Sequence, residues 1–273
     1  NLTHFISSLQ PSPGLLFGPP AAPGPDDSSD LRDTHVSRFD ADMGNDSRCS
    51  RDECTLESRK CEFVCSRARE SQILLGNWTN RRESMLIRPG GTELYTDYLS
   101  LAAQTDMVAA VRSLLNAAPL YTPTMPRTGK SMSVRMTNFG KTGWMSDHKG
   151  YRYQVNHPDT GAPWPDIPES ILSVWRDLLP DQPLPDACLV NFYDQDAKMG
   201  LHQDRDEQDF SVPVLSISLG DTALFRLGGT KRGGKTQSFR LSSGDVMLLP
   251  GEDRLAFHGI DRIYPGTSQL LKN

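Results

Sequence analysis

Beyond Pro185 the chain breaks into short runs rich in aliphatic and aromatic residues, set apart by glycine, proline and acidic turns, and this succession restricts the fold more than any other feature. The runs are Cys188–Tyr193, Val212–Leu219, Ala223–Leu227, Ser238–Leu241, Val246–Leu249 and Leu255–His258. In Val214-Leu215-Ser216-Ile217-Ser218-Leu219 the aliphatics and the serines alternate, as a strand with two different faces requires. Gly228-Gly229 and Gly233-Gly234 mark hairpin connections. Upstream, Met107, Val108, Val111, Leu114 and Leu115 recur at helical spacing until Pro119. Ile167, Ile171, Val174, Trp175, Leu178 and Leu179 form a second stripe that Pro180 ends. Helices ahead of many short strands predict an α+β chain in which helices cover one side of a double-stranded β-helix, the jelly roll.

At 273 residues there is room for one sizeable domain and an extra segment. The hydrophobic fraction of 37% and charged fraction of 23% suit a soluble protein, and no run of about eighteen apolar residues is present to cross a bilayer. A monomer without a membrane partner is the expectation. The net charge of -5 excludes coating of nucleic acid by bulk charge, so any such binding must use a local basic surface.

The domain boundary is expected near residue 84. Between Pro11 and Asp30 lie six prolines and three glycines, followed by a charged, serine-rich run to about Glu83 that cannot bury enough surface to offset chain entropy. Residues 1–84 are therefore expected to be disordered or unrelated to the domain at 85–273. Four of the five cysteines (Cys49, Cys54, Cys61, Cys65) crowd this segment in spacings unlike the familiar zinc knuckles, and Cys188 stands apart. The odd number and the lack of a signal-like start predict a reducing, cytoplasmic location. The first residue is not Met, and Leu270-Leu271-Lys272-Asn273 reads as the entrance to another strand, so a fragment is expected.

His202-Gln203-Asp204 places an imidazole and a carboxylate two residues apart, on one face of an extended segment. Alone, such a pair is more often a surface hydrogen bond than a ligand set. His258, followed by Gly259 and ending a strand-like run, is the candidate third ligand. Two histidines and one carboxylate leave positions open for reactants, the arrangement of non-haem Fe(II) oxygenases. Asn191 and Tyr193 also share a strand face and offer an amide and a phenol to a carboxylate ligand, or are simply two satisfied polar groups. From Arg127 to Arg152, six basic residues are interleaved with Trp144, Tyr151 and Tyr153, a mixture suited to phosphates and a stacked base. A solvated hairpin is the plainer alternative.

Asn191-x-Tyr193, Met199-Gly200-Leu201-His202-Gln203-Asp204-x-Asp206-Glu207, Ser216-x-Ser218-Leu219-Gly220, Gly244-Asp245 and the stretch from Gly251 to His258-Gly259 together resemble the bacterial AlkB pattern in order and spacing. The resemblance runs from roughly Met132 to the C-terminus. It implies Fe(II) on His202, Asp204 and His258, 2-oxoglutarate against Asn191 and Tyr193, and O2 as co-reactant. It further implies a nucleotide-recognition lid that begins at Met132, with Trp144 stacking on the base opposite His202 and Tyr151 approaching the phosphates. Asp206 matches the acid of the base pocket, and Arg232 a position near the substrate entrance. Asp253 and Arg254 match supporting positions. The family's last strand carries an Asn and two arginines, one pairing with 2-oxoglutarate; the sequence stops before it, so truncation before the last core strand and poor 2-oxoglutarate binding are expected.

The function so implied is oxidative demethylation of 1-methyladenine- and 3-methylcytosine-type bases in DNA, with single strands preferred, and in RNA as a further substrate. The products are repaired base, formaldehyde, succinate and CO2. The alternatives are the same chemistry on tRNA or protein, or an inactive nucleic-acid-binding fragment.

Overall fold

The structure is a computed structural model and describes residues 4–10, 85–87, 90–207 and 209–272. The cysteine cluster at 49–65 lies outside the described residues. Among the described residues, two larger β-sheets, a two-stranded hairpin and two α-helices carry the fold.

The helices form where the apolar stripes predict them. Helix α1 (Leu101–Leu114) begins with Ser100, whose side chain accepts a hydrogen bond from the Ala103 N–H, and it buries Ala103, Met107, Val108 and Val111. The cap lies seven residues ahead of the first stripe residue, a start that periodicity alone does not reveal. Helix α2 (Glu169–Leu178) starts after Pro168 and buries Ile171, Val174 and Trp175.

The larger sheet has seven strands in the order β2-β3-β12-β9-β1-β7-β4: β1 (His4–Gln10), β2 (Met85–Leu86), β3 (Glu93–Tyr95), β4 (Val134–Gly140), β7 (Ala187–Tyr193), β9 (Val214–Gly220) and β12 (Val246–Leu249). The second has four, in the order β11-β10-β13-β8: β8 (Met199–His202), β10 (Thr222–Leu227), β11 (Gln237–Leu241) and β13 (His258–Tyr264). A separate hairpin joins β5 (Gly143–Asp147) to β6 (Gly150–Gln154). Every residue of β9 is buried. Leu215, Ile217 and Leu219 join the core cluster that contains the α1 and α2 residues, whereas Ser216, with Val214 beside it, lines a pocket between the sheets. The alternation in the sequence thus separates a helix-packed face from a pocket face.

Three expectations need correction. Residues 4–10 are not outside the domain: β1 pairs antiparallel with β7 on one side and β9 on the other, with Ile6 opposite Asn191 and Ser8 opposite Ser216. β1 therefore lies inside the larger sheet, between β9 and β7. The segment from Val134 to Gly140 is an edge strand of the larger sheet, paired with β7 and largely buried, so only the β5–β6 hairpin projects as the lid. Finally, Leu255–His258 is not a strand. Pro250-Gly251 opens a 3-10 turn over Gly251–Leu255, held by the buried Asp253 carboxylate, which accepts from the Thr92 N–H and hydroxyl. His258 consequently opens β13 instead of closing a strand.

Candidate active site

The site is assembled by an antiparallel pair. His258 on β13 lies directly opposite His202 on β8, so their side chains leave the same face of the smaller sheet as cross-strand neighbours. Their ring centroids are 4.5 Å apart. Asp204 follows β8 by two residues and closes the group: Asp204 Oδ1 is 3.5 Å from His202 Nε2, and Asp204 Oδ2 is 3.6 Å from His258 Nε2. The three donor atoms lie within 4.8 Å of one another. Donors about 2.1 Å from one divalent ion stand roughly 3 Å apart at right angles, so each Asp204 contact shortens by roughly half an ångström when an ion draws the set together.

The backbone prepares both imidazoles. His202 Nδ1 donates to the Gly200 carbonyl at 2.9 Å and His258 Nδ1 to the Ala256 carbonyl at 3.0 Å. A carbonyl only accepts, so each Nδ1 carries the proton and each Nε2 keeps its lone pair for a metal. Burial pushes the His258 imidazole below its ordinary pKa despite the neighbouring Asp204. Burial opposes ionisation of Asp204, but His258, His202 and Arg254 outweigh it and hold the carboxyl below its ordinary value. A neutral imidazole beside an ionised carboxylate is the protonation pattern a cation selects. Phe225 stacks on the His258 ring at 5.8 Å and 17°.

Three groups that sequence reasoning left unassigned, or in a general supporting role, hold this arrangement. Gln203, between two candidate ligands, donates from Nε2 to the Leu255 carbonyl at 2.5 Å, tying the segment after β8 to the turn before His258. Arg254 is fully buried and donates from Nη1 to the Asp204 carbonyl at 2.7 Å. Gly259 leaves room for β8, since a Cβ there would meet the Met199 and Gly200 carbonyls. The glycine carried a sequence signal of its own, whereas Arg254 was matched only through the resemblance.

Asn191 and Tyr193 line the inter-sheet pocket together with Met199, His202, Ser216 and His258. The Asn191 Oδ1 is buried without a hydrogen-bond partner, and burial pushes the Tyr193 phenol above its ordinary pKa. A 180° amide flip lets Asn191 present its N–H groups instead, so a neutral amide and phenol face the place where a carboxylate ligand of the metal fits. Among the described residues that line this pocket there is no lysine or arginine.

The residues expected to meet substrate divide. Trp144 and Tyr151, both on the hairpin, stack on each other at 5.7 Å and 20°, and the Trp144 Nε1–H donates to Asp206 Oδ2 at 2.8 Å. Tyr151 is 48% exposed, as a phosphate-facing group must be. Arg232 lies over the Phe257 ring, 4.9 Å from its centroid, on the β10–β11 connection. Met132 is partly buried against the core, its N–H bonded to the Pro123 carbonyl.

A jelly roll that gathers two histidines and a carboxylate at the mouth of its inter-sheet pocket has the architecture of the non-haem iron oxygenases. The family model for the 2OG-Fe(II) oxygenase superfamily matches residues 91–273. The chain belongs to that superfamily and, within it, to the AlkB family. It is 52% identical over 181 residues, 66% of this chain and 82% of the relative, to an alpha-ketoglutarate-dependent dioxygenase AlkB homolog of Caulobacter vibrioides. It is 38% identical to alpha-ketoglutarate-dependent dioxygenase AlkB of Escherichia coli, over 62% of this chain and 79% of the relative. Among solved structures, that of OsALKBH1 superposes with a TM-score of 0.58 at 33% identity, covering 68% of this chain and 90% of the other. The family's chemistry uses Fe(II), 2-oxoglutarate and O2.

Proposed function

We propose that this protein oxidatively demethylates N-alkylated bases in nucleic acid, with His202, Asp204 and His258 holding Fe(II), and with cationic bases of the 1-methyladenine and 3-methylcytosine type in DNA as substrates. The observation that carries the reading is the convergence of His202 Nε2, Asp204 and His258 Nε2 beside an aromatic hairpin whose Trp144 reaches Asp206. The AlkB names of the relatives support the reaction class.

Each residue has a physical task in this reading. The Nδ1–H bonds to Gly200 and Ala256 keep both imidazoles in the metal-binding tautomer. Asn191 and Tyr193 receive a 2-oxoglutarate carboxylate at the pocket face of β7. Bound Fe(II), with 2-oxoglutarate and O2, supplies the oxidation that hydroxylates the N-methyl carbon while 2-oxoglutarate leaves as succinate and CO2; the hemiaminal then releases formaldehyde. Trp144 offers a flat surface for an extruded base. Asp206 favours a base that carries a positive charge, as 1-methyladenine and 3-methylcytosine do at neutral pH.

The test is formaldehyde release from methylated single-stranded and duplex DNA and from RNA, with and without Fe(II) and 2-oxoglutarate. Product is expected only with both added, is lost in His202→Ala, and is larger on single strands. Equal release without iron defeats the proposal. Salt-sensitive binding without turnover points to the binding-module alternative.

A further inference from the structure

The segment that carries Asp204 has no ladder of its own. Between the end of β8 and the start of β9 the described backbone is irregular, yet Asp204 is in place for both histidines. Beyond the Gln203 bond to the Leu255 carbonyl, one guanidinium ties the segment at three points. Arg254, 1% exposed, donates from Nη1 to the Asp204 carbonyl at 2.7 Å, from Nε to the Val212 carbonyl at 2.9 Å, and from Nη2 to Glu207 Oε2 at 3.2 Å. Its guanidinium also lies 5.6 Å from the Phe210 ring centroid. Three bonds from one planar fork thus pin the segment at its beginning, middle and end.

Glu207 extends the connection outward. Its carboxylate is 2% exposed, and its second oxygen accepts a 2.7 Å hydrogen bond from the Tyr153 hydroxyl on β6 of the hairpin. A buried ion pair is a poor source of stability, because desolvation offsets much of the attraction. Its geometric role is clearer, since truncating any member leaves a buried polar group unmatched and releases the segment.

Building on the reading of Asp204 as a metal ligand, we propose that Arg254 is the positioning residue for the Asp204 carboxylate, and that Tyr153 and Glu207 transmit the seating of the hairpin to it. The lid and the metal centre are then mechanically joined. A hairpin displaced from the site loosens Glu207, then Arg254, then the carboxylate on the metal. A base seated under Trp144 does the reverse.

The experiment is titration of the full chain with Co(II) alone, read by its visible d–d absorption, beside thermal unfolding of each variant. Arg254→Lys is expected to weaken Co(II) binding by roughly ten- to a hundredfold, the range for lost outer partners of metal ligands. Tyr153→Phe, which removes one hydroxyl and leaves the ring packing, is expected to shift the Co(II) spectrum and weaken binding by a smaller factor. Ser146→Ala removes a hydrogen bond from the same hairpin to the Thr124 carbonyl, away from this chain of contacts, and is expected to leave the Co(II) signal unchanged. If Arg254→Lys fails to fold, Tyr153→Phe decides. A Tyr153→Phe protein with wild-type affinity and spectrum overturns the inference, as does a Ser146→Ala shift of equal size. Co(II) binding unchanged in Asp204→Ala, or absent from the wild type, overturns the metal-site reading itself and this inference with it.

Discussion

A side-chain carbon on Gly259 would stand 2.5 Å from the carbonyl oxygen of Met199, across the pair formed by β13 and β8. Neither partner can yield by rotating a side chain, because the obstructing atoms belong to the backbone. Gly259→Ala is therefore expected to push β8 off β13 and spread His202 from His258. Destabilisation of about 1–3 kcal/mol is expected, together with a loss of metal affinity of roughly tenfold or more. Calorimetry and metal titration measure the two separately.

Metal should stabilise the fold by mass action. At a Mn(II) concentration a hundred times its Kd the gain is about 2.7 kcal/mol, which raises the Tm by roughly 5 to 10 °C in a domain of this size. Chelation reverses the rise. Asp204→Ala is expected to show no metal-dependent change in thermal unfolding, because its two histidines alone leave the set one charge short.

Asp206 is the acid nearest the stacked Trp144 and Tyr151 rings. Asp206→Asn keeps an acceptor for the Trp144 N–H but loses the charge. The KM for 3-methylcytosine substrates is expected to rise roughly tenfold, about 1.4 kcal/mol, with a smaller change for a neutral methylated base. A steady-state comparison of cationic and neutral substrates reads the difference.

The hairpin itself carries a pH-sensitive pin. Arg152 grips Asp147 through two 2.8 Å bonds, and the Lys149 N–H donates to the same carboxylate. The hydrogen bond from Arg152, then that from Lys149, holds the Asp147 carboxyl below its ordinary range. On acidification the unfolded hairpin takes up its proton first, so the contribution is complete above about pH 4 and is lost as pH falls through the depressed native value. With both side chains about 30% exposed, it amounts to at most about 1 kcal/mol. Carboxyl NMR of Asp147 and amide exchange of Gly150 across acid pH test this, and Arg152→Gln should weaken the dependence to the part that the Lys149 N–H supplies.

Much of the site was legible because its residues carry their chemistry in their type and spacing. His202-x-Asp204 and Asn191-x-Tyr193 each space two polar groups for one face of an extended segment, and His258 is marked by the glycine that follows it. The strands β7, β9, β10, β11 and β12 fell within one or two residues of their apolar runs. What escaped was set by partners distant in sequence. Val134–Gly140 resembled a lid, yet full pairing with β7 makes it an edge strand. Leu255–His258 is apolar enough to pass for a strand, and the 3-10 turn over Gly251–Leu255, anchored by the Asp253 contact with Thr92, shows otherwise. Seven residues at the far N-terminal side pair with two inner strands, a register that local periodicity does not encode. Arg254 could be matched but not interpreted, because its task is visible only with Asp204, Glu207 and Val212 around it.

β8 is four residues long and stands at the outer edge of the smaller sheet, where one side of its backbone has no strand neighbour among the described residues. Short border strands are the first to fray. An ion clasped by His202 from this strand and His258 from the next acts as a rivet through the border, so loading with iron and suppression of fraying become a single equilibrium. In deuterated solvent the amides of Met199 to His202 would then register metal supply directly, exchanging slowly when the rivet is in place and quickly when it is withdrawn.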